Sequence, residues 1–274
     1  NSAYQGGAIF FNNETDNNVI IGYFEGNSAE RIGGALCFQA KSCDNVISAE
    51  FYNNTARAAS GGAIFFRNIA EGNQFESVFR SNRAVYGAGI FFYNKANNNR
   101  FNSDFSSNVA NSSGGAMVFH NTTNNNNFSG SFVGNSALGL VDEANSNGGA
   151  LAFRDVSSNC VFTCDFINNT ANIAGGAIKH HSNWTFVDSA FINNSANPNN
   201  DPAYVSDEIS YGGGALWCCD GITNLVNTAF IHNNATFGGA IRGAVNAREC
   251  LVENNTAFNG NGGGIDMTID SVIA

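Results

Sequence analysis

The stretch Gly61-Gly62-Ala63-Ile64-Phe65-Phe66 decides the fold, because variants of it recur along the whole chain. Its ten copies start at Gly6, Gly33, Gly61, Gly87, Gly114, Gly148, Gly175, Gly213, Gly238 and Gly262, in steps of 27, 28, 26, 27, 34, 27, 38, 25 and 24 residues. A near-constant period over so many starts is the signature of a repeat architecture. A second phrase, Phe-x-x-Asn-x-Ala, answers the first in each repeat. It reads Phe24/Asn27/Ala29, Phe51/Asn54/Ala56, Phe79/Asn82/Ala84, Phe105/Asn108/Ala110, Phe132/Asn135/Ala137, Phe166/Asn169/Ala171, Phe191/Asn194/Ala196 and Phe230/Asn233/Ala235, with Val252/Asn255/Ala257 as a weaker copy. Both phrases alternate with period two, the geometry of strands. Gly62, Ile64 and Phe66 share one face and Ala63 and Phe65 the other. In the second phrase, Ile47, Ala49 and Phe51 share a face, a large-small-large pattern that returns in Phe128, Gly130 and Phe132.

Composition agrees with stacked strands. Apolar residues make up 43% of the chain, enough for a core, but only 12% is charged, against about 25% in an ordinary domain. Gly and Asn are abundant and poor helix formers, and no apolar stripe runs at helical spacing. The two prolines, Pro198 and Pro202, fall in one irregular stretch, so strands elsewhere keep every backbone donor. A formal net charge of −10 argues against a nucleic-acid partner, which needs a basic face. No run reaches the about 18 apolar residues of a membrane helix, and no signal peptide is readable. The chain opens close to one coil and closes inside another, as expected of a piece of a longer protein, or of ends that stack on neighbouring subunits. The seven cysteines are an odd number, so at least one is unpaired within the chain. Cys160 and Cys164 sit about 13 Å apart along one strand and cannot bridge. Cys164 and Cys250 occupy the small inward position as buried thiols, and Cys37 with Cys43 is the one pair that could meet across a corner. Zinc-ligand spacing is absent.

A strand-only repeat of this length is one turn of a three-sided solenoid. One turn cannot bury its own face, but stacked turns can, and turns about 4.8 Å apart make a rod roughly 45 Å long. The first inward column is Ile9, Leu36, Ile64, Ile90, Met117, Leu151, Ile178, Leu216, Ile241 and Ile265. The second is Phe11, Phe38, Phe66, Phe92, Phe119 and Phe153, then His180, Cys218, Gly243 and Met267, so its Phe run ends after the sixth coil. The Asn three residues after each Phe marks a corner where its amide bonds the coils above and below. The glycines ahead of the first strand permit a tight corner. Insertions at 138–147 and 197–212 enter coils six and eight at the same corner, and insertions on one edge of a solenoid commonly carry its function.

The alternation of Gly-Gly-Ala-Ile with Phe-x-x-Asn resembles the repeat of the chlamydial polymorphic outer-membrane proteins. It is closely similar to that of the adhesin-like surface proteins of methanogenic archaea, the type favoured where no outer-membrane barrel is readable. The resemblance implies an all-β, right-handed, single-stranded parallel β-helix over residues 1–274, extracellular, at the cell surface, and part of a long protein that contacts other cells or surfaces. Neither family supplies catalytic residues.

Two sets of outward residues are candidate sites. Phe10, Phe65, Phe91 and Val118, with Cys37 and Ala152, form an apolar stripe on the first strand that would be a partner-contact surface if it faces water. Farther along, the same column turns polar. Lys179, His181, Trp217, Asp220 and Arg242 could frame a ligand cleft with Asp142, Glu143, Asp201, Asp207 and Glu208 of the insertions, Trp stacking on a sugar ring and Arg holding hydroxyls. A solvated polar face is the simpler reading of this set. No cofactor is implied; calcium could sit on the loop carboxylates, although no Asp-x-Asp-x-Asp spacing supports it. Of ten Asn-x-Ser/Thr triplets, those at Asn53, Asn168, Asn193 and Asn254 adjoin the corner Asn and are candidate glycosylation sites. The expected function is a non-catalytic adhesin or stalk segment binding other cells, surface glycans or proteins. One alternative is a self-associating envelope or filament subunit. Another is a polysaccharide-cleaving enzyme, disfavoured because Asp220 and Asp266 lie two coils apart with no second acidic set.

Overall fold

The computed structural model describes residues 1–139, 147–155, 157–199, 212–258 and 260–267, with the backbone of 272–273. None of these is helical, and the strands pair in parallel, each with its counterpart one repeat away. The chain is a parallel β-helix. One regular coil runs through strands Ile64–Phe66, Ile69–Glu71, Gln74–Phe75 with Val78–Arg80, and Arg83–Ala84. The last position, just before the glycines, stacks into a ten-stranded sheet, and the second into a five-stranded sheet. The other two positions merge into one large sheet, because in coils eight and nine the corner between them straightens into Leu216–Val226 and Ile241–Arg248. Of the expected insertions, 140–146 and 200–211 lie outside the described residues.

The glycine pair does two different jobs. The first glycine of every copy has positive φ, between 56° and 70°, which costs an L-residue with Cβ. The second lies against the next coil: a Cβ on Gly34 would collide with the carbonyl oxygen of Gly62, and one on Gly149 with that of Gly176. Corner amides bridge coils directly, as in Gly33 N–H to Ser60 O at 3.1 Å and Gly34 N–H to Gly61 O at 3.0 Å.

Inside, equivalent side chains stand on one another. Phe51, Phe79 and Phe105 are register partners with rings stacked at 4.8 and 4.5 Å. The second inward column stacks likewise from Phe11 to Phe153, with centroids 4.4 to 4.9 Å apart. A third column, Phe75, Phe101, Phe128 and Phe162, meets it edge to face, as in Phe66–Phe75 at 6.0 Å and 85°. Offset stacking along the axis and edge-to-face contact across it are the two favoured aromatic geometries.

Asn ladders fix the corners. Asn82 Oδ1 accepts both the backbone N–H (2.9 Å) and the Nδ2–H (3.0 Å) of Asn54, while Asn82 Nδ2 donates back to Phe51 O (3.0 Å) and forward to Asn108 Oδ1 (2.9 Å). The pattern runs from Asn27 to Asn255. A second ladder, which the Phe-x-x-Asn phrase does not include, links Asn18, Asn45, Asn73, Asn99 and Asn126 at the corner ahead of the long strand. Its sequence signal is an Asn six residues before each of the first five Phe of the second phrase. The residue before each rung has positive φ, at Asn17, Asp44, Gly72, Asn98 and Asn125, so backbone and amide together define the turn.

All seven cysteines are free thiols, Cys37 and Cys43 included. Cys37 points to the outer side of its strand, under the corner residues, and Cys43 lies on the following strand. Cys164 is fully inside, with its thiol pushed up by burial, and Cys250 is half-buried.

Phe79→Ala removes a ring stacked on both sides and should cost about 3–5 kcal/mol. Asn82→Ala should cost about 3 kcal/mol or more despite its smaller volume, because it orphans two donors of Asn54 and the Phe51 carbonyl at about 1–3 kcal/mol each. Urea denaturation of both variants checks this; a cost below about 1 kcal/mol for Asn82→Ala would show that water replaces the ladder freely.

Candidate functional site

The first-strand wall carries the candidate residues on its outer side. Its apolar half is not exposed: Cys37, Phe65, Phe91, Val118 and Ala152 form a second hydrophobic cluster with Ile32, packed by Ala59 and Tyr86. Only Phe10 of the stripe faces water, at 42% exposure. The cause is the glycine corner. The positive-φ glycine brings the preceding segment back over the strand, so Gly61 lies against the Cβ of Phe65 and Gly87 against that of Phe91. Period-two alternation correctly puts Phe65, Phe91 and Val118 outside the central core. It cannot show that the corner folds over them, so the expected contact stripe is instead a buried outer layer.

The polar half is a vertical ladder in which Lys179 pairs in register with Trp217, Trp217 with Arg242 and Arg242 with Asp266. Lys179 Nζ lies 5.2 Å from the centre of the Trp217 ring, and Trp217 is half-buried against Ile173 and Ala174. Burial lowers the Lys179 pKa. Arg242 is withdrawn from any cleft. It is 8% exposed, lies 4.7 Å from the Phe237 ring centre and is ion-paired with Asp266 at 3.2 Å. One coil before Asp220, His181 meets it through Nδ1 at 3.4 Å. Burial and then nearby Lys179 lower the His181 pKa, so the ring is neutral near pH 7 and the contact is a hydrogen bond. The Asp220 side chain is 82% exposed. Lys179, His181, Trp217 and Asp220 are therefore brought together at the surface. The insertion acids Asp142, Glu143, Asp201, Asp207 and Glu208 lie outside the described residues. Among the described residues no group of three or more His, Cys, Asp or Glu converges as a metal site.

Behind this patch the core changes character. His180, in the place of the sixth Phe's successor, is fully buried and stacks on Trp184 at 4.2 Å. Its Nδ1 lies 3.1 Å from Ser182 O and its Nε2 3.0 Å from Thr223 Oγ1. A carbonyl only accepts, so Nδ1 carries the proton and Nε2 accepts from the Thr223 hydroxyl. Trp184 donates Nε1–H to Ser157 Oγ at 3.0 Å. In register, the second Asn ladder passes at this point into Cys160, Trp184, Thr223 and Val245.

Asn53, Asn168, Asn193 and Asn254 are exposed, each with positive φ and each directly before a ladder Asn. A modification there would project from the corner while the neighbouring amide stays in its ladder.

Burial holds the His180 pKa at about 3 against an ordinary value of 6.5. Between these values the unfolded chain binds a proton that the folded chain refuses, so stability falls as pH drops from about 6.5 toward 3. His180→Phe should flatten that slope, as read from urea midpoints at a series of pH values; an unchanged slope would mean that other groups carry it.

The Chlamydia polymorphic membrane protein (Chlamydia_PMP) repeat matches residues 48–67, from within one Phe-x-x-Asn strand through its corner into the Gly61–Phe66 stretch. No curated protein and no solved structure matches the chain. The chain thus carries a repeat of a type found in surface-exposed or outer-membrane proteins. None of these comparisons bears on the archaeal resemblance.

Proposed function

We propose that this chain is a rod segment of a cell-surface protein that makes non-catalytic contact with other cells, surface glycans or proteins, as an adhesin or stalk does. The observation that carries the reading is the juxtaposition of Lys179, His181, Trp217 and Asp220 on the outside of the first-strand wall, in coils seven and eight. The repeat match supports a surface setting. An aromatic face beside a cation, a neutral imidazole and an exposed carboxylate suits hydroxyl-rich ligands. Catalysis at this site is disfavoured by its described acids: Asp220 is exposed and meets His181, and Asp266 is held by Arg242, so among the described residues no free carboxylate pair faces a common point. No cofactor enters this reading. Calcium would have to be held by the insertion carboxylates. The likeness to archaeal adhesin-like proteins rests on the Gly-Gly-Ala-Ile and Phe-x-x-Asn alternation alone.

Trp217→Ala combined with Asp220→Asn should reduce attachment of the chain to cells or immobilised surface glycans by about tenfold or more, with an unchanged circular dichroism spectrum. Undiminished attachment would remove this patch from the reading. Incubation with acidic and neutral polysaccharides should release no new reducing or unsaturated ends; their appearance would replace the adhesin with an enzyme.

A further inference from the structure

One outward column leads away from that patch toward the first coils. The residue after each first strand is Gln39, Arg67, Tyr93, His120, Arg154 and then His181. In coils three and four it forms one side of a cleft of about 200 Å³, with Arg67 and Tyr93 facing Arg31, Ile32, Ala59 and Ser60 across the position of Phe65. Two guanidinium groups line this small space. Arg31 reaches Tyr4 Oη at 3.4 Å and Arg67 reaches Gln39 Oε1 at 3.3 Å, and neither forms an ion pair among the described residues. Among the described residues three of the twelve bases are ion-paired with a carboxylate, Arg242 being one. Lys41 and Lys95 are the others, at 2.7 and 3.1 Å. Tyr93, 47% exposed and with its ring centre 5.2 Å from that of His120, adds an aromatic ring to the cleft lining. Farther along the column, Arg154 lies 4.4 Å from the Tyr86 ring centre and keeps Nε and Nη2 buried without a hydrogen-bond partner among the described residues.

We propose that the Arg31–Arg67–Tyr93 cleft binds the carboxylate of an acidic sugar. A guanidinium presents a planar fork of donors that matches a carboxylate in two parallel bonds. The apolar face of a pyranose ring packs against aromatic carbons such as those of Tyr93. The volume is below the about 300–1,000 Å³ of pockets that enclose larger ligands, so the cleft takes one ring. Any further sugars of the same chain would lie along the wall outside it. The net charge of −10 makes the cleft a local exception in a field that repels anions, so binding is short-range and weakens with salt. This inference goes beyond the adhesin reading and stands on different residues, since it concerns what the cleft holds whether or not the chain attaches to cells.

The test is isothermal titration calorimetry of the 274-residue chain at low salt with trigalacturonate, with the matching neutral galactose trisaccharide and with a triglutamate peptide. Trigalacturonate should bind about tenfold or more tightly than the neutral sugar. The double variant Arg31→Gln/Arg67→Gln should abolish that difference, and Trp217→Ala should leave it intact. Both arginines are exposed, so an unchanged melting curve will show that the double variant folds. Equal binding of the neutral sugar, full retention in the double variant, or no heat from trigalacturonate up to about 10 mM would overturn the proposal. Equally tight binding of triglutamate would assign the cleft to acidic peptide and overturn it as well. Loss of cell attachment in Trp217→Ala with trigalacturonate binding retained would separate the two sites.

Discussion

Register between successive coils is the constraint on which everything else depends. Because the backbone bonds run from coil to coil, each residue type is placed directly over its counterpart, and a slip of one residue would turn every inward Phe to the outside. Two devices resist that slip. Phe columns gain contact area only when in step, and each Asn rung binds the coil before and the coil after through a single amide. The corners, which in most folds are solvated and variable, are here among the most thoroughly hydrogen-bonded parts of the chain.

Much of this was legible in the sequence. Phe51, Phe79 and Phe105 stand over one another as the repeat spacing required, and the second inward column loses its Phe at His180, as its letters say. The second Asn ladder went unread because Asn45, Asn73 and Asn99 sit among many other Asn residues, with no Phe-x-x-Asn frame to mark them. The outer stripe was misread for a different reason. Alternation reports which side of a strand a residue occupies, but whether Phe65 and Phe91 meet water depends on the path of the glycine corner, a three-dimensional property. Arg242 likewise looked available, and only its ion pair with Asp266 and its place beside Phe237 show that it is not.

The change in the core at coil seven coincides with the change on the surface. As Phe gives way to His180, Cys218 and Gly243 inside, the outer column passes from Val118 and Ala152 to Lys179, Trp217 and Arg242. Coils eight and nine also lose the short second strand, so the wall runs on unbroken from Leu216 to Val226. The first six coils are a uniform, aromatic-filled support, and the later ones carry the polar network and the exposed patch. The Arg31 and Arg67 cleft lies on the uniform part.

Native-state hydrogen exchange resolved by residue addresses the in-register stacking most directly. The corner amides of Asn54, Asn73, Asn82 and Asn99, each donating to the next rung's side-chain oxygen, should be protected as strongly as the strand amides of Phe79 and Phe105, with protection falling beyond His180. Corner amides that exchange as fast as exposed loop amides, while the strands stay protected, would contradict the ladder as the element that holds the coils in register.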